Sequence, residues 1–150
     1  DFMSHLLSKD TFDHFYFIEA SIKMGVSYQI QGRINEGFYD TSVEQTLNRE
    51  FCYWKEIRHR IFDIIKGKRL PLSCKIVLGL SKQSISYLIA HNNSSFREED
   101  IEGIYINILY DPKNLLITTG ISYKNFSLDK SLEYAFDEYL AKFLKEKAVI

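Results

Sequence analysis

The sequence predicts an α+β fold of two layers, a mainly antiparallel sheet of about five strands with helices packed on one face. Three observations carry that prediction. Five short stretches alternate apolar and polar residues, the period-two pattern of strands buried on one side. Two longer stretches place apolar residues three and four apart, as on one stripe of a helix. Gly25 and Asp111-Pro112-Lys113-Asn114 join neighbouring strand patterns by tight turns, and such short turns connect antiparallel strands.

Phe2, Met3, Leu6 and Leu7 recur at helical spacing and predict a short opening helix, followed by Asp10-Thr11-Phe12-Asp13 as a turn. Tyr16, Ile18, Ala20, Ile22 and Met24 then alternate with Phe17, Glu19, Ser21 and Lys23. After Gly25, Val26, Tyr28, Ile30 and Gly32 alternate with Ser27, Gln29, Gln31 and Arg33. Together they predict an antiparallel hairpin with the first-named residues of each set in the core. On that phase Phe15 and Phe17 share the wet face with Gln29 and Gln31. Two readings stand for that face: a partner surface, or a face covered by the loop at 35–48.

Residues 35–48 are polar and interrupted by Gly37, and they predict a loop with one helical turn. From about Glu50 the period changes, and Trp54, Ile57, Ile61, Ile64 and Ile65 fall on one helical stripe. Lys66 complements the dipole at the end of that helix, Gly67 is placed to end it in the αL conformation, and Pro71 lies beyond. Leu72, Cys74, Ile76, Leu78 and Leu80 alternate as a third strand. Ser81 is placed to cap a helix carrying Ile85, Leu88 and Ile89, although Ile85, Tyr87 and Ile89 also fit a strand. Residues 91–100 read as a polar, acidic loop. Ile104, Ile106 and Ile108 line one face of a fourth strand, and Ile117, Thr119 and Ile121 one face of a fifth. The last helix starts near Ser127 or Asp129, with Leu132, Phe136, Tyr139, Leu140, Phe143 and Leu144 as its apolar stripe. Burying such side chains is worth roughly 1.5–3 kcal/mol each, so this helix is core architecture.

A length of 150 residues suits a single domain over 1–150. The 15% aromatic content supplies large rings for its core. A net charge of −1 provides no global field toward nucleic acid or membrane. No apolar run approaches the roughly 20 residues of a membrane span, and no basic stretch leads into an apolar one at the start, which predicts a cytoplasmic protein without membrane contact. The chain does not begin with Met, and a missing N-terminal strand is allowed for. Cys52 and Cys74 read as separate, reduced thiols.

Candidate chemistry concentrates in one place. Between 55 and 69 six basic residues face only Glu56 and Asp63. Trp54, Arg58, Lys66, Lys68 and Arg69 are therefore the candidate ligand residues, with the cations holding an anion and the indole stacking on a ring. The competing reading is a charged helix end and a solvated turn, and a helix C-terminus repels anions through its dipole. Asp10, Asp13, His14 and Glu19 form a poorer constellation, because strand neighbours such as Asp13 and His14 point to opposite sides. Turn capping by the aspartates and an ion pair for Glu19 are expected instead. His5, His14, His59 and His91 lack metal-ligand spacing, neither cysteine sits in a CxxC, and no nucleophile elbow, phosphate loop or dinucleotide fingerprint occurs. No metal, cofactor or catalytic residue is assigned.

Asp10-Thr11-Phe12-Asp13, Trp54-Lys55-Glu56-Ile57-Arg58, Ile65 through Leu72, and the closing run from Thr119-Gly120 through Phe126 to Glu133 resemble a domain-of-unknown-function family of gut Clostridia-type Firmicutes. The resemblance covers nearly the whole chain and implies a bacterial, cytoplasmic, stand-alone domain whose members open with a short apolar strand. It brings no reaction, cofactor or functional residue. The residues themselves favour a non-enzymatic binding or protein-interaction domain. Nucleic-acid or nucleotide binding through 66–69 and an enzyme with a dispersed site are the alternatives. An exposed edge strand would also allow a homodimer.

Overall fold

The computed structural model describes residues 1–40 and 48–149. Helix α1 (Phe2–Leu7) leads into a hairpin of β1 (Tyr16–Lys23) and β2 (Ser27–Gln31). Helix α2 (Trp54–Ile65) precedes β3 (Ser73–Gly79), and helix α3 (Lys82–His91) precedes β4 (Ile101–Tyr110). Strand β5 (Leu115–Tyr123) and helix α4 (Ser131–Glu146) close the chain. The strands form one five-stranded sheet in the order β2-β1-β3-β4-β5, and every neighbouring pair is antiparallel. This is the predicted α+β architecture.

The core lies between one sheet face and the helices. Ala20, Ile22, Ile76, Leu78, Ile104, Ile106 and Ile108 stand on that face, and Trp54, Ile61, Leu88, Leu132, Phe136 and Leu140 come down from the helices. Ser81 caps α3 by accepting from the Ser84 N–H, so 82–91 is helix and not strand. Asp111 builds the β4–β5 turn, its Oδ1 accepting from the N–H groups of both Lys113 and Asn114 at 2.8 Å. Helix α4 begins at Ser131, a little later than its pattern suggested, and Asp129 accepts from the Ser131 N–H at 2.9 Å.

The first strand departs from its apparent phase. The β1–β3 register shifts between Phe17 and Glu19, a bulge at Ile18. One extra residue exchanges the two faces of everything on one side of it. Phe15 and Phe17 therefore join Ala20 and Ile22 in the core instead of sharing a wet face with Gln29 and Gln31. The Phe17 ring lies 5.7 Å from Trp54, and Phe15 meets Phe143 of α4 edge-on at 5.4 Å. The two rings thus leave the second face altogether, so neither a partner surface nor a cover at 35–48 is needed to account for them. Beyond the bulge β1 and β2 diverge, and residues 51–53 enter the fork. Phe51 bridges to Arg33 and Tyr53 to Tyr16, while the Cys52 N–H donates to Gly32 O and its carbonyl accepts from Phe17 N. Glycine is required opposite the bulge, because a Cβ on Gly32 would lie 1.9 Å from the Phe17 carbonyl oxygen.

Three further expectations change. Gly67 has φ +147°, a positive value that glycine adopts freely but far from that of an αL cap. Leu72 and Val26 are exposed, 71% and 65%, because the chain has not yet reached the core face at either place. Glu19 is exposed and makes no ion pair among the described residues. Of the loop expected at 35–48 with its helical turn, residues 41–47 lie outside the described residues.

Candidate functional site

The five candidate residues separate into two groups. Trp54 and Arg58 stand one turn apart on the inner side of α2 and point at the end of α1. The last carbonyls of a helix have no partner within it. Here the Trp54 Nε1–H donates to Leu6 O at 2.8 Å, and Arg58 Nη1 donates to Leu7 O at 3.4 Å. The remaining guanidinium donors hold Asp13, with Nε to Oδ1 at 2.8 Å and Nη2 to Oδ2 at 3.1 Å. The Trp54 ring is fully buried, so it cannot stack on a ligand, and the Arg58 charge is already matched by a buried carboxylate. Asp13 is accordingly a buried ion-pair partner more than a turn cap. The sequence did carry a signal: Arg58 lies in the Trp54/Ile61 stripe, and a charge on a buried stripe requires a partner.

Lys66, Lys68 and Arg69 form the second group and are exposed. Lys66 pairs with Asp63 of its own helix at 2.9 Å. The turn then runs beside the end of the hairpin, where the Leu72 N–H donates to Lys23 O at 2.8 Å. Lys23 also lines a cleft of about 630 Å³ on the sheet face turned away from the helices. Its floor is a single cross-strand row. Ser21 pairs with Lys75, Lys75 with Leu109, and Leu109 with Leu116, so one rank of side chains crosses four strands. Lys23 stands beside Ser73 in the next rank.

The cleft is cationic and aliphatic together. Lys23 and Lys75, which line it, have no acidic partner among the described residues, and neither do Lys68 and Arg69 of the basic turn. Asp111 is nearby, but its Oδ1 is occupied by the turn it builds. Leu109 and Leu116 are 40% and 54% exposed, and Leu70 and Leu72 add apolar surface at the same end of the sheet. Cys74 belongs to the opposite, core side, where burial pushes its thiol up to about 11. The cleft thus offers positive charge, hydroxyls and methyl groups.

Other polar clusters have local work. Arg49 makes a bidentate pair with Glu56 at 2.7 and 2.8 Å and lies over the Tyr53 ring at 4.5 Å. Glu56 also accepts from the Tyr53 N–H at the start of α2, so these groups fasten the 51–53 wedge to the helix. The hydrogen bond from Arg49 holds the Glu56 carboxyl below the usual range, against the opposing effect of burial. A 220 Å³ cleft gathers His14, Ser81, Ser84, Tyr139 and Lys147, but beyond the Ser81–Ser84 cap no described hydrogen bond links them into a relay. No three His, Cys, Asp or Glu side chains among the described residues are placed to hold a metal ion. No described helix is long and apolar enough to cross a membrane.

No curated protein and no solved structure matches the chain. The family comparison does find a match, which runs over residues 5–150 and takes in the hairpin, the basic turn and the whole cross-strand row. The chain belongs to this family, described as a family of unknown function (DUF5721).

Proposed function

We propose that this is a non-enzymatic binding domain that docks an anionic, aliphatic-bearing protein partner on the exposed row Ser21–Lys75–Leu109–Leu116. One observation carries the reading: Lys75, without an acidic partner among the described residues, stands in register with the exposed Leu109 and through it with Leu116, and Lys23 adds a second cation to the same cleft. Leucines contribute apolar burial, and the cations select the partner's charge and steer its approach. The same cations would attract nucleic acid. That alternative is weaker because Trp54 is buried and Tyr110, the aromatic residue at the cleft, stands in register with the core-side Cys74 and not in the exposed row. A bacterial cytoplasm is the proposed setting, and two separate thiols pushed up to about 11 by burial suit it.

An NMR titration tests the proposal. The ¹⁵N-labelled protein is titrated with a synthetic helical peptide carrying Glu and Leu on one face, and separately with a single-stranded oligonucleotide of equal charge. The expected result is saturable shifts of the Ser21, Lys75, Leu109 and Leu116 amides with the peptide, weakened about tenfold or more by Lys75→Glu. Tighter oligonucleotide binding with a steep salt dependence would assign the row to nucleic acid. Unshifted row amides with both probes would refute the site.

A further inference from the structure

Strand β5 is an edge strand of the sheet, and among the described residues no strand pairs with its outer edge. Leu115–Tyr123 contains no charged residue and no proline over nine residues. Among the described residues, β5 has backbone partners on β4 alone. The opposite edge is treated differently: β2 has five residues, and the chain just beyond it is bonded to the wedge through Gly32 and Arg33. Natural sheets cover, charge or interrupt their edges, so a long uncharged edge is a template for another strand.

The flank of that edge says what the strand carries. Helix α4 runs alongside β5, and Thr119 Oγ1 donates to Asp137 Oδ1 at 2.6 Å. Glu133, one turn earlier on the helix, is paired with Lys130 at 3.5 Å. Past the end of β5 lies a cleft of about 330 Å³ lined by Asp100, Asp129 and the 88%-exposed Phe126, a setting that favours a cation beside a ring. We propose that the β5 edge accepts an extended basic segment of another protein as a sixth strand, its Lys or Arg side chains facing Asp137 and the acidic cleft past the strand's end. Main-chain hydrogen bonds would supply affinity and the alternate side chains specificity. Two-fold pairing of β5 with a second copy centred on Thr119 would set Asp137 against Asp137. The proposal does not depend on the row on the open face, which faces away from α4.

The test uses the full chain, ¹⁵N-labelled, with three synthetic nonapeptides: alternating Lys and Val, alternating Glu and Val, and the Lys–Val peptide with a central Pro. The Lys–Val peptide should bind saturably and slow hydrogen exchange of alternate β5 amides at least tenfold. Asp137→Lys should weaken binding tenfold or more, and Asp137→Asn, which can keep the hydrogen bond from Thr119, should weaken it less while leaving the spectrum native. Equal binding of the Glu–Val or Pro-containing peptide would overturn the proposal. So would protection of the same β5 amides in the protein alone together with a doubled mass by sedimentation, which would give the edge to a second copy.

Discussion

Replacing Arg58 by Met keeps most of the side-chain volume and removes the donors that join α2 to both α1 and the 10–13 turn. Two groups are then left behind: the Asp13 carboxylate and the Leu7 carbonyl. Breaking a buried pair by deleting one member costs about 3–5 kcal/mol, because the stranded charge remains desolvated. The Arg58 and Asp13 side chains are 10% and 12% exposed, so water reaches the survivor to a limited extent and the lower end applies, about 3 kcal/mol. For a chain of this size each kcal/mol lowers the melting temperature by about 2–4 °C, giving a fall of roughly 6–12 °C. Urea denaturation should show the same loss with an unchanged slope. The double variant Asp13→Leu/Arg58→Met removes the stranded charge as well and should recover a large part of the loss. A single variant within about 0.5 kcal/mol of the parent, the range of an ordinary surface substitution, would refute the clamp. A double variant as poor as the sum of the two singles would refute the stranded-charge account.

The Arg49–Glu56 pair predicts a pH signature. The Glu56 carboxyl is held below its unfolded value, chiefly by the hydrogen bond from Arg49, so its contribution is complete above about pH 4.3 and is lost as the pH falls through the folded value. Melting curves from pH 6 to pH 3 should therefore fall less steeply at the acid end for Arg49→Ala than for the parent, and parallel curves would contradict the assignment. The glycines of the sheet predict a contrast. Gly32→Ala drives a Cβ to 1.9 Å from a backbone oxygen and should destabilise by at least about 2 kcal/mol, whereas Gly120→Ala meets nothing within 4 Å and should be close to neutral. Equal effects of the two in thermal melts would mean that the fork between β1 and β2 is looser than described.

What was legible in the sequence was whatever repeats locally. The stripe of α4 lands where its period put it, with Leu132, Phe136, Leu140 and Leu144 buried and Tyr139 and Phe143 packed against the same core. Ser81 and Asp111 announced a cap and a turn because their hydrogen bonds reach only two or three residues along the chain. The first strand misled because a bulge leaves no mark in an alternating pattern when both phases are apolar. Tyr16, Phe17 and Ile18 satisfy either face, and the deciding contacts come from Gly32 and Cys52, far along the chain.

The candidate site failed and survived by the same logic. Local charge identified the cluster from Lys55 to Arg69 but could not sort its members, since the partners that claim Arg58 and Trp54 lie in α1 and in the turn after it, more than forty residues earlier. Subtracting those two leaves Lys66, Lys68 and Arg69, and the fold then adds Lys23 and Lys75, which alternation had marked only as wet-face residues. The anion-binding idea therefore moves from the end of a helix, where the dipole opposes it, to a sheet face where no dipole does. That relocation also changes the ligand. Without an indole and with Leu109 and Leu116 in the same rank, the surface matches aliphatic side chains better than bases.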